Sequence, residues 1–309
     1  MNAPTLLLHA LGILLLPILL SGVITRTKAI WAGRKGPSLW QTAPDLLRLL
    51  RKQPVYSTAT SWMFRAAPVV VLAATLLCAL MVPWVPGLHG PGFEYDFVAF
   101  AYLAGLARMA MVLGALDTAS SFEGMGASRE ATLATVAEPA FFLALGTLAA
   151  MSGHTSFQTL LVPETPTTLN VTLRVLAALA LFLLLQLECG RIPVDDPTTH
   201  LELTMIHEVM ILDHSGPDLA ALMYAAALKL FIFAGLIAGL LNPWSWESAP
   251  LPAALASLVG IGAVAVAVGL VESLVARIRI RFIPHYGLVA VMVASGGTLV
   301  AALTRGLLP

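Results

Sequence analysis

Residues 187–219 read LECGRIPVDDPTTHLELTMIHEVMILDHSGPDL. This is the one long polar interruption in the C-terminal half of a very apolar chain. It holds seven of the seventeen carboxylates: Glu188, Asp195, Asp196, Glu202, Glu208, Asp213 and Asp218. It also holds three of the seven histidines, His200, His207 and His214, but one cation, Arg191. A connector that merely joined two membrane helices would need none of this. The stretch therefore reads as an acidic segment held at a membrane surface by the helices around it.

Composition supports that reading. Hydrophobic residues make up 58% of the 309 residues and charged ones 11%, against roughly a quarter charged in a soluble domain. Net charge is zero, which gives no whole-chain argument for nucleic acid. Cys78 and Cys189 lie far apart, with no CxxC or Cys/His cluster. The sequence thus offers no recognisable iron–sulfur, zinc or nickel site of its own. No internal repeat of 20–50 residues is visible.

A membrane-spanning helix needs about 20 mostly apolar residues. Eight such runs are expected, near 4–25, 66–83, 97–117, 130–151, 171–188, 218–241, 251–272 and 285–304. The first lacks a basic front end and is followed by Arg26 and Lys28, so it reads as a retained helix rather than a signal peptide. With the N-terminus outside, thirteen of the seventeen Lys and Arg fall in inner loops, and the outer loops 84–96, 152–170 and 242–250 carry none. Positive charge stays on the cytoplasmic side, which predicts both termini outside. The expected fold class is all-α: one transmembrane domain over 1–309, with cytoplasmic loops at 26–65 and 187–218. In the first loop, Thr42 and Pro44 open a short helix. Its Leu46, Leu47, Leu49 and Leu50 interleave with Arg48, Arg51 and Lys52, as in an interfacial amphipathic helix. A solvated basic loop is the alternative.

Ionisable groups at membrane depth are costly and face a bundle interior or a wet cavity. Arg108, Glu138 and Lys229 are the clearest cases, each readable as functional or as part of a structural ion pair. Arg108 and Asp117 are nine residues apart, on roughly opposite helix faces, and do not pair. Gly124 and Gly126 predict a flexible turn around Glu123, Arg129 and Glu130. Glu130 and Glu138 stand about 12 Å apart along a helix, a gap for a short water chain, with Pro139 kinking the helix beside them. Glu272 is placed near Arg277.

Asp196–Pro197 predicts a helix start, running to about Leu212. His200 and His207 then share a face about 10 Å apart, too far for one metal, and HEVMI lacks the second His of HExxH. A zinc protease is excluded. Proton relay and a satisfied surface histidine both remain open for these residues. The crowded carboxylates point to proton handling near neutral pH or to an acidic patch that docks a basic partner. GLIAG at 235–239 suits close helix packing.

Three stretches carry a resemblance. The segment 187–220 resembles the signature loop of the large membrane-anchor subunit of group 4 NiFe hydrogenases, of formate hydrogenlyase subunit 4 type. GALDTASSFEGMGASREATLATVAEPAFF (114–142) resembles that subunit's second signature, and GRKGPSLWQTAPDLLRLLRK (33–52) its first inner loop. The fold is shared with the quinone-chamber subunit of respiratory complex I.

The resemblance implies a subunit with no catalysis of its own, in a bacterial or archaeal cytoplasmic membrane. Partners would hold the NiFe centre and iron–sulfur clusters: hydrogenase large and small subunits, an iron–sulfur subunit and an antiporter-like membrane subunit. It implies a proton or sodium path through Glu130, Glu138, Glu188, Asp195, Asp196, Glu202 and Glu208, to which Asp117, Glu123, Arg108 and Lys229 are added as candidates. Arg34, Gln41, Asp45 and Arg191 match a relic quinone cavity or arm-docking region. Val194 replaces the Phe that follows Pro in the quinone branch, and the acidic pair is displaced, which argues against a bound quinone. The alternatives are a quinone-chamber subunit of a complex I-like enzyme, a stand-alone transporter and a purely structural anchor. The transporter is disfavoured because no inverted repeat is visible.

Overall fold

The computed structural model describes residues 3–88, 90, 92–164, 167–195 and 205–304. It is all-α, with no strand among the described residues. In chain order the helices are α1 (Ala3–Trp31), α2 (Thr42–Leu50), α3 (Trp62–Met81), α4 (Asp96–Asp117), α5 (Ser121–Ser152), α6 (Phe157–Leu160), α7 (Thr168–Glu188), α8 (Gly216–Leu241), α9 (Pro250–Leu274) and α10 (Ile283–Thr304). Eight of these are long and apolar enough to cross a membrane, where eight runs were expected. The short helix in the first loop forms at Thr42–Leu50, with Leu46 buried and Leu47 and Leu50 exposed.

The apolar runs dictate the packing. Helix α8 is the most buried span and forms the hub, touching α1, α3, α7 and α9. Helices α5, α7 and α10 form a second group, and α4 packs between α3 and α5. One core joins them, with Phe231, Leu181, Leu184, Leu185, Leu145 and Ile24 fully buried. Small residues set the close approaches. A methyl group added at Gly239 would press on Leu161, and one at Gly260 on Ala238.

Two expectations are corrected. The stretch around Gly124 and Gly126 is not a turn, because α5 begins at Ser121. Glycine is disfavoured inside a helix, but a side chain at Gly126 would overlap Val209 and the Ile206 carbonyl. The glycine is there for close approach, and packing overrides propensity. At 32 residues α5 is about 48 Å long, against a hydrocarbon core of about 30 Å. Its first turns pack against the acidic segment, at Val209 and the Ile206 carbonyl. Of the helix expected from Asp196 to Leu212, the described part, 205–212, is not α-helical and holds a short 3-10 turn, Glu208–Ile211. Asp196, His200 and Glu202 lie outside the described residues.

The ends of the bundle are tied by specific caps. At the acid-rich end, Asp117 accepts from the Ser61 amide (2.7 Å), Ser61 Oγ (2.9 Å) and the Phe64 amide (3.1 Å), closing the start of α3. Tyr56 donates to Asp218 (2.8 Å), the Val55 amide donates to Ser215 Oγ (2.9 Å), and His214 stacks on Phe64 with ring centroids 3.9 Å apart. These contacts clamp residues 55–64 to the start of α8. At the opposite end, Asp96 accepts from Ser156 Oγ and the Phe157 amide. Arg174 donates to the carbonyls of Leu160, Leu161, Val162 and Leu240.

Candidate functional site

Arg108, on α4, is the centre of the site. Its three guanidinium nitrogens meet three carboxylates from two other helices. Nε lies 3.2 Å from Glu130 Oε1 and Nη1 2.6 Å from Glu138 Oε1, both on α5, while Nη2 lies 2.5 Å from Glu188 Oε1 at the end of α7. The other Glu188 oxygen, Oε2, sits 2.6 Å from Lys229 Nζ on α8. The second Glu130 oxygen lies 3.2 Å from His207 Nε2. A ladder results: His207, Glu130, Arg108, Glu188, Lys229, with Glu138 as a branch at Arg108.

The ladder lines one cavity of about 340 Å³ together with Cys78, Cys189, Arg191, Asp195 and Glu208. Aromatic and aliphatic side chains, including Phe100, Phe141 and Phe233, form much of the remaining wall. Such a wall keeps the local dielectric low and strengthens each charged contact. Charges buried singly would be very costly, but each here is met by an opposite charge. The acids are interleaved with cations rather than crowded against one another. Arg108 also spans the gap between Glu130 and Glu138, so a guanidinium links them directly.

A second network adjoins the first. Glu272, buried on α9, pairs with Lys28 (2.8 Å) and with Arg191 (3.3 Å). The expected neighbour, Arg277, instead reaches Asp195 (2.7 Å). The cause is local: α9 ends at Leu274, the chain leaves helical geometry, and the Ile278 amide donates to the Pro193 carbonyl (2.9 Å). Arg277 is thus carried across to the loop after α7. Asp195 also accepts from the Ile206 amide (2.8 Å), and Arg129 donates to the Met205 carbonyl (2.7 Å). The loop residues 191–195 and 205–207 are fixed from both sides. Cys189 is half-buried just past the end of α7, and burial pushes its thiol up to about 12.

Residues 5–303 match the sequence family described as NADH dehydrogenase. The chain belongs to that family. Hydrogenase-4 component C of Escherichia coli (strain K12) is 31% identical over 287 residues, covering 90% of this chain and 89% of the relative. Formate hydrogenlyase subunit 4 of the same organism is 30% identical over 287 residues, covering 90% and 92%. A subunit of the NADH-quinone oxidoreductase of Methylococcus capsulatus is 26% identical over 206 residues, covering 63% and 65%. Among solved structures, a chain of the membrane-bound sulfane sulfur reductase, an archaeal respiratory membrane complex, superimposes with a TM-score of 0.79 at 20% identity. That match covers 96% of this chain and 98% of the other, and the likeness is one of fold. The chain is a formate hydrogenlyase subunit 4-like membrane protein, homologous to the corresponding membrane subunit of complex I.

Within this family member, the residues singled out from the sequence separate into groups. Arg108, Glu130, Glu138, Glu188 and Lys229 converge on the ladder, while Asp195, Glu208 and Arg191 share its cavity. Asp117 and Glu123 do not join it. Asp117 caps α3, and Glu123 accepts from the Asp213 amide (3.1 Å). Arg108 and Asp117 do not pair with each other, as their spacing implied. Arg34, Gln41 and Asp45 are not in the cavity wall; Gln41 and Arg48 both bond Asp45 on α2. His207, for which proton relay and a satisfied surface histidine were both open, joins the ladder through a long-range contact with Glu130 that spacing does not show. No cluster of three His, Cys, Asp or Glu with metal-binding geometry occurs among the described residues.

Proposed function

We propose that this chain is the membrane-anchor subunit of a group 4 NiFe hydrogenase or formate hydrogenlyase-type complex. It joins the soluble electron-transfer arm to the membrane arm and carries the start of a proton or sodium path. The observation that carries the reading is the buried ladder of alternating charges lining one cavity. A purely mechanical anchor needs buried pairs at most, whereas an ion path needs linked ionisable groups that exchange partners. The acid-rich end is taken as cytoplasmic, from the sorting of Lys and Arg. Identity to hydrogenase-4 component C and formate hydrogenlyase subunit 4 over nine-tenths of the chain supports the choice of complex. By this reading, redox metals reside in partner subunits: hydrogenase large and small subunits, an iron–sulfur subunit and an antiporter-like membrane subunit.

The test is to purify the chain from native membranes in mild detergent and identify what accompanies it, with a nickel assay on the same sample. Nickel with a hydrogenase large subunit is expected. A chain that purifies alone contradicts the reading. The apolar cavity favours a second reading, a quinone-chamber subunit, supported by similarity to the NADH-quinone oxidoreductase relative. Flavin and quinone without nickel in the purified complex would select it.

A further inference from the structure

His207 stands out among the ladder residues because its backbone is fixed and its ring is not matched to a partner. The backbone is held by the Ile206 amide on Asp195, by Arg129 on the Met205 carbonyl, and by the Met210 amide on the His207 carbonyl (3.2 Å). The side chain is 27% exposed on the cavity, yet both ring nitrogens are shielded. Nε2 is within hydrogen-bonding distance of Glu130 but is not aligned for a hydrogen bond, and Nδ1 has no partner. Shielded, unmatched nitrogens are costly and call for an explanation. Nδ1 faces Gly190, whose φ is +54°, and any side chain there would overlap the ring. The glycine leaves the space that the imidazole occupies.

We propose that His207 is the residue through which the ladder exchanges protons with the cavity. This rests on the reading of the ladder as an ion path. In the step, the imidazolium Nε2–H bond breaks and an O–H bond forms at Glu130 Oε2, so a charged pair becomes a neutral pair. The reverse returns the proton. Rotation of the ring aligns it alternately with Glu130 and with the cavity. The charged groups that share its cavity are Glu130 and Glu138 from α5, Arg108 from α4, Glu188 at the end of α7, Arg191 and Asp195 after it, Lys229 from α8, and Glu208 on its own segment.

The test uses the whole complex in sealed proteoliposomes, measuring ion uptake per redox turnover across neutral pH in H207Q, with E138Q alongside. In H207Q, uptake is expected to fall by roughly 10²-fold, the low end for a positioned acid–base group. Its pH dependence near neutrality should flatten, and added imidazole should restore it. Unchanged uptake in H207Q with loss in E138Q overturns this inference alone. Unchanged uptake in both overturns the ion path as well. A defect in H207Q that keeps the wild-type pH profile and resists imidazole makes the residue structural, and also overturns the proposal. If H207Q fails to assemble, G190A, which displaces the ring without removing it, is read in the same way.

Discussion

The two ends of the bundle bury charge in opposite ways. At the end opposite the acidic segment, Asp96 takes its bonds from a hydroxyl and an amide, and Arg174 gives its bonds to backbone carbonyls. Charge there is met by fixed dipoles, and each group has one arrangement. In the ladder at the acid-rich end, charge meets charge, although Glu123 at the same end is met by an amide: Arg108 has three carboxylates, Glu188 two cations, and Glu130 an arginine and a histidine. A group with several equivalent partners can change partner without being left unpaired. Buried charge alone is therefore weak evidence of an ion path, and the kind of partner is the better guide.

The contrast is broken most severely at Arg108. Arg108→Gln leaves three carboxylates short of their common cation, and breaking a buried pair costs about 3–5 kcal/mol. The expected outcome is a sharp loss of assembled complex, read as yield and unfolding temperature. Arg174→Gln is expected to lower stability by about 1.5–3 kcal/mol, the range for hydrogen bonds to a charged group. Uptake per turnover should be intact in the complex that survives; loss of uptake there would erase the distinction between the ends. Ser61→Ala removes the cap on α3, where Ser61 accepts from Met63 and donates to Asp117. It should cost about 1 kcal/mol in thermal unfolding, again without effect on uptake.

The smallest effect is expected at His214. Burial against Phe64 holds its imidazole below the ordinary 6.5, despite nearby Asp218 and Asp213. The folded state therefore prefers the neutral ring, while the unfolded chain binds a proton below about pH 6.5. The contribution is full above that pH and is lost as pH falls through the lowered folded value. The protection of the Val55 amide, which is tied to Ser215, relative to its intrinsic exchange rate should fall on acidification. His214→Phe, which keeps the stack, should remove that dependence.

The fold was largely legible because apolar run length reports membrane spans directly. Where the sequence misled, a long-range contact had overridden a local rule. Gly124 and Gly126 look like a turn, but Gly126 is where the acidic segment packs on α5. Glu272 and Arg277 are close in sequence, but the end of α9 sends Arg277 to Asp195. The candidate site was legible as a set of residue types and illegible as wiring. Arg108, Glu138 and Lys229 stood out because charge is rare at membrane depth. Nothing local indicated that Arg108 joins three acids, or that Lys229 takes the far oxygen of Glu188. For His207 the sequence left relay and a satisfied surface histidine both open, since a histidine in a polar loop is ordinary.

Glu138→Gln tests the central claim most directly. Its side chain is 52% exposed and, among the described residues, bonds through the Arg108 branch, and glutamine keeps its shape and its acceptor oxygen. The complex is reconstituted in sealed vesicles, and redox turnover and ion uptake are measured together. The expected result is an assembled complex whose uptake per turnover is lost while its redox centres stay competent. Full uptake at full turnover would contradict the ladder as an ion path and leave the chain a structural anchor.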